Sequence, residues 1–163
     1  PLMQAKWWKT HPDEAFGHAF DVTCWVDACI DIHHANYAER CLEALGDDDW
    51  AMVKHPRLNC IYDEAAVSKR LPRYAEADID AQVAYYREIG HPAHWGLFAC
   101  GVNARRMNRA TLDLSHAWWW ECATRTWQDQ ISLPVLVNLP VFAGVRWNTN
   151  IIWDGWWGVY DHI

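Results

Sequence analysis

Phe20-Asp21-Val22-Thr23-Cys24-Trp25-Val26-Asp27 reads as a buried strand that ends on an acid. Its β-branched and aromatic residues suit a pleated, packed surface, and its place ahead of a series of helices predicts a central position in a sheet. Outward from it the chain alternates. Asn36 to Leu45 has a helical pattern and stops at Gly46, before the acidic turn Asp47-Asp48-Asp49. Trp50 to Val53 is a short apolar strand that runs into Lys54-His55-Pro56-Arg57. Tyr62 to Leu71 reads as a helix. Asp78 caps another, with Ile79, Val83 and Tyr86 on one face and Gly90 as its stop. Gly96 to Ala104 is a strand and Asn108 to Ala123 a helix. Asp129 to Leu139 starts as a helix that Pro134 interrupts, and the aromatic tail from Val141 has no clean period. Strands alternating with helices predict an α/β layered domain.

A chain of 163 residues suits one domain, residues 1–163, with a real core. A hydrophobic share of 52% excludes disorder. The formal charge of −7 argues against a surface that tracks phosphate, though not against nucleic acid as a substrate. No apolar run approaches the roughly 20 residues of a membrane helix, so no membrane segment is expected. No signal peptide is visible in a chain that opens on Pro1. The six cysteines (24, 29, 41, 60, 100 and 122) form no C-x-x-C pair and lie mostly in apolar segments, which predicts free, buried thiols. Thirteen tryptophans are core material first, and stacking platforms for sugar rings or bases second.

Several acids and bases stand out. In Trp127-Gln128-Asp129-Gln130-Ile131-Ser132, a polar pair sits between apolar segments, after the triple Trp118-Trp119-Trp120. A buried carboxylate there is costly unless it meets a cation, a donor or a substrate hydroxyl. Partial burial would raise its basicity and suit a general base, and a helix N-cap is the ordinary alternative. Asp27 ends a strand, where ligands of open α/β sheets collect; it is either a ligand to a metal-bound diphosphate or a turn acid. Asp31 faces the same side or solvates a turn. His55 and Arg57 suit phosphate or carboxylate recognition, against a solvated loop built on Pro56. Glu64 opens a helix, where an acid complements the dipole. His33-His34 and His91/His94 have no ligand set that points to a metal.

Taken in order, these motifs resemble a known family. They are Trp25-Val26-Asp27, His55-Pro56-Arg57 with Cys60, Tyr62, Glu64 and Ala65, then Gln82, Tyr85 or Tyr86, Gly90 and Pro92. Gly96-Leu97-Phe98, Cys100-Gly101-Val102, Arg105-Arg106, Trp119-Trp120-Glu121 and Asp129-Gln130-Ile131-Ser132 follow. The chain resembles, from about Ala5 to Val137, the glycosyltransferase-like domain family of the plant mucilage- and turgor-related proteins. The resemblance implies a GT-A-like, Rossmann-type mixed sheet flanked by helices. It also implies transfer of a hexosyl or pentosyl group from a nucleotide-sugar donor to a glycan or other hydroxyl acceptor.

By that likeness Asp27 would hold Mn²⁺ or Mg²⁺ against the donor diphosphate, and Asp129 would lie beside the sugar or the acceptor hydroxyl. Lys9, His55, Arg57, Trp119 and Gln130 would contact donor or substrate, and Gly101 would leave room for a sugar ring. The chain departs from the family pattern at several places. Ala28-Cys29 follows Asp27, so a D-x-D pair is missing; Gln128 replaces an Arg, Ala99 an acid and Asp13 a His. The first βαβ segment, with the nucleotide base, would lie before Pro1, supplied by an upstream segment or a partner chain. The expected compartment is the cytoplasm, or the Golgi lumen for a fragment of a eukaryotic protein. Two other readings stand beside the enzyme. One is a catalytically incomplete module that binds glycan or a partner protein through Trp147, Trp153, Trp156 and Trp157. The other is a phage-type enzyme that glycosylates modified DNA bases.

Overall fold

The computed structural model describes residues 2–17, 19–152 and the backbone of 157–159. The chain runs through α1 (Leu2–Thr10), α2 (Pro12–Phe16), β1 (Val22–Val26), β2 (Ile30–Ile32), α3 (Tyr37–Leu45) and β3 (Trp50–Lys54). It continues through α4 (Ile61–Ser68), α5 (Ile79–Glu88), β4 (Phe98–Arg106), α6 (Arg109–Thr124), α7 (Asp129–Val137), β5 (Trp147–Ile151) and β6 (Trp157–Val159). The main sheet has the order β1-β4-β3-β5. β4 is antiparallel to both β1 and β3, and β5 runs parallel to β3. β2 and β6 form a separate antiparallel pair.

The α/β layering holds, with a mixed sheet between helices. In β3, Trp50, Ala51, Met52 and Val53 are all buried, as an apolar run covered on both faces should be. Ala51 and Val53 pack with Val102, Ala104 and Ile151 under Tyr37, Cys41 and Leu45 of α3. Trp50 and Met52 pack with Phe98 and Cys100 under Leu114 and Trp118 of α6 and Leu133 and Leu136 of α7. A third cluster joins Ile61 and Ala65 of α4 and Val83 and Tyr86 of α5 to Leu97, Ile131 and Val135.

The strand ending at Asp27 is not central. β1 lies at the edge of the sheet, and its side chains are at most half-buried. One flank of β1 pairs with β4, and the other carries no strand of that sheet among the described residues. The same position explains why Cys24 of β1 is exposed; Cys29, in the turn that follows, is half-buried, Cys41, Cys60, Cys100 and Cys122 are buried, and all six thiols are free.

The cap expected at Asp78 is present, and Asn108, read only as the start of a helix, is a cap as well. Asp78 accepts from Ala81 N at 3.0 Å, and Asn108 accepts from Thr111 N at 3.0 Å. Pro134 does not interrupt α7, which runs to Val137. An interior proline costs about 3 kcal/mol, and the burial of Ile131, Leu133, Val135, Leu136 and Val137 offsets it. The tail holds β5, where Trp147 packs against Phe98 and Trp95 at 5.3 and 5.6 Å between ring centroids. Trp153 and Trp156 lie outside the described residues, as does the side chain of Trp157. No described helix is long and apolar enough to cross a membrane.

β4 positions the site. Met52 of β3 pairs with Asn103, yet the next residue, Val53, pairs with Ala99. Cys100-Gly101-Val102 therefore leaves the β3 ladder and bulges toward β1, where Gly101 O accepts from Asp27 N at 2.8 Å.

Candidate active site

Asp27 and Asp129, 102 positions apart, meet on one ammonium group. Lys9 Nζ donates to Asp27 Oδ1 at 3.1 Å and to Asp129 Oδ2 at 2.8 Å. Lys6 Nζ pairs with the same Asp129 oxygen at 2.5 Å. Both lysines come from α1, three residues apart and so on one face of the helix. Asp129 comes from the first turn of α7. It is not the N-cap; Gln128 takes that position, which frees the carboxylate to face α1. Trp25 Nε1 adds a second donor to Asp27 Oδ1 at 2.6 Å. Trp118 Nε1 donates to Asp129 O at 3.2 Å, and the Cys100 thiol lies 3.8 Å from the same carbonyl oxygen.

Electrostatics set the charge state of this cluster. Burial alone would raise the pKa of Asp129, but Lys6 and Lys9 outweigh it and hold the carboxyl well below the usual carboxylate range. Burial alone would discharge Lys9, but Asp129 and Asp27 raise its pKa above the ordinary lysine value. The expected gain in basicity of Asp129 on burial is thus reversed by its counter-ions. Asp129 is a fixed anion and a weak base. The side chain of Asp27 is 36% exposed, and its Oδ2 receives neither lysine.

The divalent cation implied at Asp27 does not fit these residues. Oδ1 is held by Lys9 and Trp25, and the space between the two carboxylates is taken by the Lys9 ammonium. No group of three ligating side chains among the described residues includes Asp27. Gly101 also serves a different end from the one expected. A Cβ there would lie 2.9 Å from Ile30 Cδ1 and 3.3 Å from Asp27 Oδ2. The missing side chain makes room for the protein's own residues, not for a sugar ring.

A second network adjoins the first through Gln128. Its Nε2 donates to Glu64 Oε1 at 2.9 Å and Ser68 Oγ at 2.6 Å, while Tyr74 OH donates to its Oε1 at 3.0 Å. His55 Nδ1 accepts from Leu58 N at 2.9 Å, so the neutral ring carries its proton on Nε2, 3.9 Å from Glu64 Oε2. Burial, then Arg57, lowers the pKa of His55. Burial also pushes the Tyr74 hydroxyl up to about 12. Arg57 is exposed beside this network.

Lys9, Asp27, Asp129 and Gly101 are thus brought together, with His55 and Arg57 on the adjoining network. Gln130 is half-buried one position beyond Asp129 and joins none of these bonds. Trp119 lies elsewhere, edge-on to Trp7 at 5.0 Å and His11 at 5.8 Å between centroids; its neighbour Trp118 reaches the site instead. Lys6, Trp25, Trp118 and Gln128 carry contacts that sequence reasoning did not assign. The i, i+3 lysines of Lys6 and Lys9 were the available signal.

The chain matches, over residues 19–151, the family described as "TOD1/MUCI70, glycosyltransferase-like domain", and it belongs to that family. Neither a curated protein nor a solved structure matches the chain. Lys6 and Lys9 lie ahead of the matched residues.

Proposed function

We propose that this domain transfers a sugar from a nucleotide-sugar donor to a hydroxyl acceptor, using lysine and arginine side chains where a cation at Asp27 was expected. Family membership supports the transferase class. The observation that carries the assignment of roles is the inequality of the two aspartates. Asp129 is buried and holds two ammonium groups on one oxygen, whereas Asp27 is partly exposed with Oδ2 clear of both.

In this reading the acceptor oxygen attacks the anomeric carbon, the bond from that carbon to the donor phosphate oxygen breaks, and the nucleotide diphosphate leaves. Asp27 Oδ2 accepts the acceptor proton. Asp129 fixes Lys9, which in turn fixes Asp27. Lys6, whose side chain is 13% exposed against 1% for Lys9, is the cation of the pair open to a phosphate, and exposed Arg57 is another. The indole of Trp25, tied to Asp27, offers a face to the sugar.

The test combines thermal shift with release of nucleoside diphosphate across a panel of nucleotide sugars. At least one donor should raise the transition and be turned over. Asp27→Asn should lower turnover by roughly 10²–10⁴-fold, the usual worth of a general base, with donor binding retained. If no donor shifts the transition or is consumed, the transferase reading fails and a glycan-binding module takes its place.

A further inference from the structure

Away from the lysine-bridged site, the start of α4 and the loop before β4 bring three metal-ligating groups together. Cys60, Asp63 and His94 each present one ligand atom, and these atoms all lie within 4.8 Å of one another. Cys60 and Asp63 stand three apart, at the N-cap and in the first turn of α4, so they share a face. His94 arrives from the loop that follows α5. We propose that Cys60, Asp63 and His94 form a site for Zn²⁺ or a similar borderline transition-metal ion, with a fourth position open to water.

Three independent features favour a ligand over a chance cluster. The Cys60 thiol is 2% exposed and makes no capping bond to α4, so the helix does not use it. His94 Nδ1 lies 2.9 Å from Asn59 Oδ1, an acceptor, which fixes the neutral tautomer with its proton on Nδ1 and leaves the Nε2 lone pair for a cation. Metal-binding imidazoles usually donate their second N–H to a carboxylate, carbonyl oxygen or water, and Asn59 Oδ1 offers a carbonyl oxygen here. Third, His94 is the one non-glycine residue with positive φ (57°) among the described residues. Such a conformation costs on the order of 1 kcal/mol or more and persists where the surroundings demand it. Asn59 also accepts, through its backbone carbonyl, from Gly96 N at 3.0 Å, so one residue locks both ends of the His94 loop to the start of α4.

The donor set selects the ion. Thiolate, imidazole and a single carboxylate suit zinc or cobalt(II), whereas Mg²⁺ and Mn²⁺ prefer oxygen. A tetrahedral zinc site with these ligands has edges of about 3.3–3.8 Å, so the three atoms need to close by only about 1 Å. Asp63 is exposed and makes that movement by side-chain rotation, while buried Cys60 and the Asn59-held His94 stay in place. Binding would release the thiol proton to solvent. It would also staple the start of α4, and with it Glu64 and the Gln128 network, to the loop before β4.

The test uses the full chain, stripped with a chelator and dialysed, then titrated with Zn²⁺ by calorimetry and with Co²⁺ by visible absorption. The expected result is one ion per chain, with a thiolate-to-cobalt charge-transfer band. Asp63→Asn and Cys60→Ser should each weaken Zn²⁺ binding at least tenfold, and Cys60→Ser should abolish the charge-transfer band. Exposed Cys24→Ser should change neither. His94→Gly guards against loss of fold. Glycine relieves the positive φ and so offsets the lost bond to Asn59; this variant should melt close to wild type without metal and still lose zinc at least tenfold. Absence of saturable 1:1 binding overturns the proposal, as does full affinity in His94→Gly or loss of the band in Cys24→Ser. Nucleotide-sugar binding is measured separately, so failure here is distinguishable from failure of the transferase reading.

Discussion

Lys9→Met tests whether the ammonium between the two aspartates holds the site together. Lys9 is 1% exposed and bridges a buried and a half-exposed carboxylate. Removing one partner of a buried pair costs about 3–5 kcal/mol, because a charge is left without compensation. Lys6 remains on Asp129 and Asp27 is partly in water, so the lower end, about 3 kcal/mol, applies here. In a domain of this size that corresponds to a fall in Tm of roughly 6–12 °C. Chemical denaturation with calorimetry measures it. The double variant Lys9→Met/Asp129→Asn should be more stable than the sum of the single changes predicts, by about 1–2 kcal/mol, because neither buried charge of that pair remains. A Lys9→Met loss below about 0.5 kcal/mol, or strict additivity in the double variant, would refute the reasoning.

Gly101→Ala should destabilise by about 1–3 kcal/mol, since the new methyl meets Ile30 and Asp27, and it should reduce turnover by displacing Asp27; urea melts and nucleotide release check both. Trp118→Phe removes the donor to Asp129 O and should cost about 1–2 kcal/mol in the same melts. His11 stacks between Trp7 and His116 at 3.6 and 4.6 Å, and burial keeps its pKa below the ordinary 6.5. A lowered folded pKa means that its stability contribution is complete above pH 6.5 and is lost as pH falls through the folded value. Tm should therefore decline from pH 7 toward pH 5, and His11→Phe should flatten that decline.

Much of the layering was legible because apolar runs and caps are local. The strand at Trp50–Val53 and the cap at Asp78 depend only on neighbouring residues. The order of strands does not: nothing within Phe20–Asp27 distinguishes an edge strand from a central one when its residues are equally apolar. α1 escaped notice because its buried residues, Lys9 and Thr10, are polar and leave no hydrophobic period. The site was half legible. A carboxylate among apolar residues marked Asp129, and a strand-ending acid marked Asp27. Their division of labour depends on which lysine reaches which oxygen, and that is a three-dimensional fact. Cys60 and Asp63 stand 34 and 31 residues before His94 in sequence, a separation no short motif records.

The bond from Lys9 to Asp129 spans 120 positions, and this has a consequence for how the protein comes into being. During synthesis α1 leaves the ribosome well before α7, carrying two ammonium groups whose shared counter-ion, Asp129, is made much later. Neither can reach Asp129 until α7 emerges, so the docking of α1 against α7 is a contact of high sequence separation that cannot form early. A fragment trimmed to residues 19–151 would keep every strand of the main sheet and lose both lysines. Asp129 would then lack both ammonium counter-ions, and the trimmed chain would fold poorly although its family match is intact.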